Sequence, residues 1–249
     1  MTFAPYSISK IGTYFQCPKK FKLNYIDKIK VPFETNVALV KGSHIHEILE
    51  HNFNYETPFS LQKIYTQEDY DKTLEIVKNF ETGPLGGLAK NLITNGVNEE
   101  NFAFDIEGNL VGYWDKRAFF RGSADGYLIN KLLGVIWDWK SGKDKSNDET
   151  FGIDQSKMYA IYLFLKYPEI TSVKATFIFV EHNTKKTIEF QKSELENYMN
   201  YFKNKTSIVE NDTTHRKNVT ALCDWCGFKA HGHCDGVEEP FKISTGLDF

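Results

Sequence analysis

Two aspartates and a lysine in the middle of the chain have the types and spacing needed for metal-assisted hydrolysis. Residues 121–142, RGSADGYLINKLLGVIWDWKSG, predict two adjacent strands joined by a tight connection, with Asp125 on the first and Asp138 and Lys140 on the second. Side chains two apart on a strand share a face, and a hairpin would bring Asp125 beside them. Burying two carboxylates together is costly unless a divalent cation binds both. The pattern therefore indicates phosphodiester hydrolysis with Mg²⁺ or Mn²⁺, in which the lysine lies near the attacking water or the phosphate.

A simpler interpretation makes Asp125 a turn residue and makes Asp138 and Lys140 an ordinary surface ion pair, because D-x-K is short and common. The residues before the motif argue against it. An apolar run typical of a central buried strand precedes the charges, formed by Leu132, Leu133, Val135, Ile136 and Trp137. Charges at the end of such a strand mark a site more often than a solvated face, so we favour the site.

The composition is that of a folded protein of one large domain. The chain has 249 residues, of which 41% are hydrophobic and 15% aromatic, enough for a sizeable core. No apolar run approaches the roughly 20 residues that span a bilayer, and the first residues lack a signal-peptide pattern, so we expect a cytoplasmic protein. A net charge of −3 leaves nucleic-acid binding open, because a metal site adds positive charge where a phosphate would lie.

The elements that would position these charges alternate between helices and strands. Helices are predicted at about 8–15, 36–53, 67–80, 84–95, 151–167 and 192–209, and hairpins at about 99–120 and 171–190. This order predicts an α/β fold with a central mixed β-sheet flanked by helices. The helices at 67–80 and 84–95 would form an inserted helical lobe, within about 54–98.

One predicted helix carries three histidines, and their spacing places them on two different faces of that helix. On the helix at 36–53, His46 shares a face with Leu49 and Phe53. Spacing alone favours a core histidine, with a metal ligand as the alternative. The polar face is predicted to carry His44 and His51, to which we assign no role.

Two other segments also allow two interpretations each. Gln155 and Tyr159 lie four apart, on one face of the helix at 151–167. They could contact a phosphate, a base or a bound water, or they could be a surface residue and a core residue. The basic segment at 19–30, KKFKLNYIDKIK, is either a solvated face or a nucleic-acid surface, and charge runs usually favour the former.

Four cysteines suggest a second metal centre. Three fall in a short C-terminal segment and one lies far upstream, namely Cys223, Cys226, Cys234 and Cys17. In a cytoplasmic protein such thiols favour a metal or a cluster over disulfides, and four thiolates suit either Zn²⁺ or an iron–sulfur cluster. His231 and His233 are alternative ligands, and four free thiols are the remaining option. A shared site would clamp the two ends of the chain together.

In this order, the motifs resemble those of the RecB-like branch of the PD-(D/E)XK nucleases, specifically its iron–sulfur members. These include the AddB nuclease domain, CRISPR-associated RecB-like exonucleases and related phage proteins. The resemblance covers nearly the whole chain. The matching segments are G-x-x-x-H at 42–46, G-x-x-D at 122–125, D-x-K at 138–140, Q-x-x-x-Y at 155–159, and the four cysteines.

The resemblance implies a restriction-endonuclease-like core in a single domain over 1–249, with the helical insertion and a C-terminal cluster-binding tail. It implies that His46 is a metal ligand with Asp125, Asp138 and the backbone carbonyl of Trp139, while Lys140 positions or activates water. Gln155 and Tyr159 would orient DNA or the site. The cysteines would hold a [4Fe–4S] cluster, with structural Zn²⁺ as the alternative.

The activity implied by the resemblance is that of a Mg²⁺- or Mn²⁺-dependent deoxyribonuclease, an exonuclease rather than an endonuclease. Its substrate would be single-stranded or end-bearing DNA in recombination, repair, or phage or CRISPR DNA processing, in the host cytoplasm if phage-encoded. A helicase or a recombination or CRISPR protein would be its partner. The alternative is a non-catalytic iron–sulfur subunit that binds DNA ends within a larger complex.

Overall fold

The structure is a computed structural model that describes residues 3–32, 35–56 and 64–237. The chain divides into two compact units, a larger one with residues 4–8 and 35–204 and a smaller one with residues 1–3, 9–34 and 205–249. Within the predicted insertion at 54–98, residues 57–63 lie outside the described residues. Among the described helices, none has the length and apolar character needed to cross a bilayer.

The described residues form eight α-helices and one six-stranded sheet. The helices are α1 (Ile8–Gln16), α2 (Pro18–Phe21), α3 (Val37–Glu50), α4 (Gln67–Thr82), α5 (Gly86–Asn95), α6 (Ile153–Lys166), α7 (Leu195–Asn211) and α8 (Gly227–Ala230). The strands are β1 (Val97–Phe104), β2 (Leu110–Val111), β3 (Phe120–Asn130), β4 (Leu133–Lys140), β5 (Ser172–Phe179) and β6 (Thr184–Gln191). Their order in the sheet is β2-β1-β3-β4-β5-β6.

The sheet is mixed, as predicted. β4 and β5 run parallel, and the other neighbouring pairs run antiparallel. A parallel pair needs a crossover, and α6 supplies it between β4 and β5. β4 lies between β3 and β5, and its Ile136 and Trp137 are fully buried, which explains the apolar run in the sequence. The prediction of an α/β core with a central mixed sheet is confirmed.

Helices α3, α4 and α5 share one core with the sheet. Ile48 of α3, Val77 of α4 and Leu92 of α5 belong to a single buried cluster with Trp137 and Trp139 of β4. Capping residues mark the first turn of two of these helices. The Asn36 side chain accepts the Leu39 N–H, and Thr66 forms a capping box with Asp69. The two helices of the predicted lobe therefore pack directly in the main core.

His44 is buried, so its predicted place on a polar face was wrong. Its Nδ1 lies 2.9 Å from the Tyr65 hydroxyl, which donates to Thr73 Oγ1 at 2.6 Å. Its ring stacks on Tyr70 with the ring centroids 4.6 Å apart. Tyr65, just before α4, provides a polar partner on this face of α3, so the imidazole is buried with its Nδ1 hydrogen-bonded.

The predicted hairpin at 99–120 forms, but its second strand is short. β2 holds only two residues, and a turn follows in which Asp115 Oδ1 accepts the Arg117 N–H at 2.8 Å. The Asp115 carbonyl also accepts the Ala118 N–H at 3.1 Å. Aspartate stabilises turns in this way, so the chain leaves the sheet at Gly112 and returns at Phe120.

The smaller unit begins with α1, which follows the predicted helical spacing and buries Ile11 and Tyr14. The chain turns at Cys17 and starts α2 with Pro18 in its first position, as expected for proline. The basic segment at 19–30 begins as helix, including a π-helical turn at Lys22–Ile26. It buries Phe21 and Leu23 on its apolar side.

Gly126→Ala is expected to destabilise the larger unit by about 1–3 kcal/mol. A Cβ at this position would lie 2.1 Å from the indole of Trp137, which is fully buried and cannot move away. Gly87→Ala on α5 is the matched control, because its added Cβ meets no atom within 4 Å. It should be neutral or stabilising by up to about 1 kcal/mol. Urea denaturation measures both, and equal stability of the Gly126→Ala variant and the wild type would contradict the packing argument.

Candidate active site

The predicted site lies where strands β3 and β4 separate. Their pairing runs from Asn130 and Leu133 to Gly126 and Trp137, and the next residues in that register are Asp125 and Asp138. In place of a further backbone pair, the Asp125 carboxylate accepts the Trp139 N–H at 2.6 Å. The Asp125 side chain therefore lies at the opening between the two strands, next to the Trp139 peptide.

His46 of α3 reaches the same opening. Its Nδ1 lies 3.5 Å from Asp125 Oδ1, and its Nε2 lies 3.1 Å from the carbonyl oxygen of Trp139. Gly42, one turn earlier on α3, allows a close approach of the chain that follows Lys140. A Cβ on Gly42 would lie 2.9 Å from Ser141 Oγ. The G-x-x-x-H spacing thus brings the helix against the end of β4 and directs the histidine at the site.

Glu99 of β1 belongs to this site, and the sequence analysis missed it. Ligand atoms of His46, Glu99 and Asp125 all lie within 4.8 Å of one another. Glu99 lies opposite Asp125, between the pairs Asn98–Gly126 and Glu100–Ala124. Its φ of 52° is in the left-handed region that residues other than glycine seldom adopt. The sequence did offer one indication of this role, namely the pair Glu99 and Glu100 at the start of a strand that was predicted to lie beside the central strands.

Asp138 lies outside that group of three and has other partners. Asp138 is 6% exposed and its carboxylate pairs with Lys140 Nζ at 2.5 Å, so the two residues share a face as predicted. Tyr159 donates its hydroxyl to Asp138 Oδ1 at 2.8 Å, and Gln155 Nε2 donates to the same oxygen at 2.7 Å. Asp138 is therefore held on its oxygens by one cation and two neutral donors.

Gln155 and Tyr159 connect these groups from α6. Gln155 donates to Tyr159 Oη at 2.7 Å and accepts from Lys140 Nζ at 3.3 Å through its amide oxygen. Tyr159 is buried, and its hydroxyl also lies 2.9 Å from the Ser123 carbonyl of β3. Both side chains are directed into the site and fix the positions of the Asp138 carboxylate and the Lys140 ammonium.

Negative charge dominates the site. Burial and the neighbouring Asp125 raise the pKa of Asp138, and Lys140 offsets this only in part. Glu99 is exposed, but partial loss of solvent within the site and the neighbouring Asp125 raise its pKa to about 7. Burial lowers the pKa of His46, but the nearby carboxylates, led by Asp125, outweigh it and raise the pKa overall. The Asp125 carboxylate thus opposes the ionisation of both Asp138 and Glu99.

The donor set fits a hard divalent cation. Carboxylate oxygens, a backbone carbonyl and an imidazole nitrogen are ligands that Mg²⁺ or Mn²⁺ accepts, and the excess of negative charge needs a cation to balance it. His46, Glu99 and Asp125 could hold a metal, with the carbonyl oxygen of Trp139 within reach of the His46 ring.

The four cysteines of the smaller unit line one pocket, although one of them comes from the other end of the chain. The Asn218 N–H donates to Cys17 Sγ at 3.4 Å, and Cys223 Sγ donates to the Asn218 carbonyl at 3.9 Å. All four side chains are half-buried. His231 and His233 are exposed and do not line this pocket.

A divalent cation held by carboxylates beside a lysine can hydrolyse a phosphodiester, and this site gathers those groups where two strands of a mixed sheet separate. The chain belongs to the PD-(D/E)XK nuclease superfamily, which it matches over residues 5–231. Divalent metals are the cofactors of that superfamily, in agreement with the donor set.

Comparison with individual proteins adds a structural likeness. A search of curated proteins finds no match. The crystal structure of a "Putative exonuclease" from Eubacterium rectale is similar, with a TM-score of 0.55 and 16% identity over 97% of this chain and 93% of that one. The structure of SSO0001, also 16% identical, covers 86% of this chain and 93% of its own with a TM-score of 0.33, too low to support an argument. At this identity the first likeness shows the fold alone.

The metal-free protein is expected to lose stability as the pH rises through the titration of Glu99. Its pKa in the folded protein is raised from 4.5 to about 7, so the folded state binds the proton more tightly and is weakened once the proton leaves. Glu99→Gln should therefore gain about 1 kcal/mol over wild type between about pH 5 and about pH 8, since solvent screens this exposed side chain. Thermal melts in EDTA measure the difference.

Glu75→Gln, an exposed glutamate of α4, serves as the control for that series. Its stability relative to wild type should stay constant across the same pH range. A Glu99→Gln variant whose relative stability is equally independent of pH would show that the raised pKa is wrong.

Proposed function

We propose that this chain is a metal-dependent DNA exonuclease of the RecB-like branch, acting on single-stranded or end-bearing DNA. The observation that carries the proposal is the gathering of His46, Asp125, Asp138 and Lys140 at the separation of β3 and β4. A DNA-binding protein without catalysis has no need to hold carboxylates together against their repulsion. The arrangement is explained if they bind a cation that acts on phosphate.

A bound Mg²⁺ or Mn²⁺ would polarise the scissile phosphate and lower the pKa of a water. His46, Glu99 and Asp125 would hold it, with Asp138 at the inner edge of the site. Lys140 remains bound to Asp138 Oδ2 at 2.5 Å, and its side chain is 26% exposed. Its ammonium can therefore orient a water by hydrogen bonding and stabilise the negative charge that builds on the phosphate.

The remaining groups position Lys140 and Asp138. Gln155 contacts both of them, and Tyr159 fixes the Asp138 oxygen that faces α6. Because the pKa of Tyr159 lies well above its usual value, through burial and the nearby Asp138, the phenol stays protonated and remains a hydrogen-bond donor. We assign it no proton transfer.

For the cysteine pocket we propose a [4Fe–4S] cluster with a structural role. Four cysteines line this pocket, which matches the four thiolates of such a cluster, one on each iron. The same four thiolates would suit a structural zinc ion, and metal analysis distinguishes the two.

The biological setting we propose is recombination, repair, or phage or CRISPR DNA processing, with a helicase or another processing protein as partner. The "Putative exonuclease" from Eubacterium rectale, similar over almost its whole length, supports the choice of an exonuclease. An exonuclease depends on a free end, which a partner that unwinds or cuts DNA would supply.

The experiment is cleavage of single- and double-stranded DNA, labelled at either end, by protein purified without oxygen. We expect degradation with Mn²⁺ or Mg²⁺, none with EDTA, and no cleavage of closed circular DNA. The labelled end that is released first gives the polarity. Binding of DNA ends without cleavage under all of these conditions would overturn the proposal and favour the non-catalytic end-binding subunit.

A further inference from the structure

The turn between β2 and β3 exposes an aromatic side chain that the site described above does not use. Trp114 is 80% exposed, although indole is among the side chains that gain most from burial. Tyr113 lies edge-on to it, with the ring centroids 5.0 Å apart and the planes at 89°. The turn is ordered, since Asp115 and its carbonyl bind the Arg117 and Ala118 N–H groups.

Arg121, the second residue of β3, lies in the corner between the two rings. Its guanidinium carbon is 5.1 Å from the Trp114 centroid and 5.5 Å from the Tyr113 centroid. Among the described residues it forms no ion pair with a carboxylate, and its buried Nε has no hydrogen-bond partner. A cation held against two rings, without an anion, is suited to an anionic ligand that also presents a flat ring.

The position of this group relates it to the candidate active site. Arg121 and Asp125 are on the same strand, four residues apart, which corresponds to about 13 Å. Charges repeat about every 3.4 Å along one strand of stacked DNA, so this distance spans no more than about four nucleotides. Lys116 and Arg117 extend the positive charge along the exposed turn, although Asp115 pairs with Arg117.

We propose that Tyr113, Trp114 and Arg121 form a stacking platform for an unpaired base of single-stranded DNA, within four nucleotides of the scissile phosphate. The exposed face of Trp114 would stack on the base, and the Arg121 guanidinium would attract the adjacent phosphate. The inference rests on the proposed nuclease function and adds a basis for strand preference. Duplex DNA cannot use the platform, because its bases are stacked on one another.

The test is binding of labelled single-stranded oligonucleotides, measured by fluorescence anisotropy in EDTA so that no cleavage occurs. Trp114→Ala should weaken binding about 5- to 150-fold, the range expected for the loss of one stacked base. Trp114→Phe keeps a ring and should stay within about threefold of wild type. Leu132→Ala, which removes an exposed apolar side chain at the other end of β3, should bind as wild type does.

Oligonucleotides with a single abasic site, moved one position at a time, locate the stacked base. Wild type should lose affinity at one position within about four nucleotides of the cleaved end, and Trp114→Ala should show no loss there. Equal binding by Trp114→Ala and wild type would overturn the platform. Unchanged DNA binding together with loss of a co-purifying protein would also overturn it, in favour of a protein-docking surface.

Binding through Trp114 and cleavage are measured separately, so the two proposals can fail independently. A wild type that cleaves nothing but binds single strands through Trp114 would refute the exonuclease and leave the platform standing. Metal-dependent cleavage, together with DNA binding that is unchanged in Trp114→Ala, would support the exonuclease and refute the platform.

Discussion

Asp138→Asn should reduce the rate of DNA cleavage by roughly 10²–10³-fold, because it removes the carboxylate that holds the Lys140 ammonium where negative charge builds on the phosphate. The substitution keeps the shape of the side chain and its contacts with Tyr159 and Gln155. It leaves Lys140 without its carboxylate partner, so the ammonium keeps only the weaker polar contact, with Gln155 at 3.3 Å. Single-turnover rates with saturating Mn²⁺ measure the loss, and binding in EDTA should change far less.

Asp71→Asn is the matched control for this variant. Asp71 is an exposed residue of α4 whose carboxylate accepts a hydrogen bond from Gln67 Nε2 at 2.8 Å within the same helix. The same chemical change there should leave cleavage at the wild-type rate. A folded Asp138→Asn protein that cuts DNA as fast as wild type would show that the reaction takes place elsewhere.

Cys17→Ser should remove most of the bound iron and sulfide and lower the thermal stability of the protein. Groups that merely orient metal ligands contribute about 10- to 100-fold to affinity, so losing a ligand should cost more than that. Cys17 is far from the other three in sequence but lines their pocket, so the cluster would join the two ends of the chain in the smaller unit. Iron and sulfide analysis, visible absorption and thermal melts measure the effect, and cleavage should fall only as far as folding does.

The His231→Ala variant tests whether this histidine, in place of a cysteine, is a ligand of the metal centre. The histidine is exposed and lies outside the pocket, so this variant should keep its full iron content. Retention of iron by Cys17→Ser with loss by His231→Ala would show that the proposed ligands are wrong. One zinc per chain without iron or sulfide in the wild type would replace the cluster by a structural zinc site.

The residues of the candidate site were largely readable from the sequence because most of them act through short spacings on regular elements. Asp138 and Lys140, two apart, face the same side of β4 and form an ion pair. Gln155 and Tyr159, four apart on α6, both reach Asp138. Spacing alone could not decide between a site and a surface for these residues, since periodicity fixes the face of an element but not what covers it.

Glu99 was missed for a related reason. Its role depends on the register of β1 against β3 and on a left-handed backbone conformation, and neither has a local sequence signal in a glutamate. His44 was misplaced because its burial depends on Tyr65 and Tyr70, which belong to a separate part of the chain. Partners contributed by other elements are invisible to an argument from one helix.

The sequence by itself determined the α/β class, the central position of β4, the helices around the sheet and the superfamily, because these follow from local periodicity and motif order. Only the tertiary structure decided how the site is built. The separation of β3 from β4 lets the Asp125 side chain bind the Trp139 N–H, and it brings His46 and Glu99 to the same opening. These contacts join residues on three strands and a helix. They therefore form only after the strands have paired in the correct register and α3 has packed against the sheet.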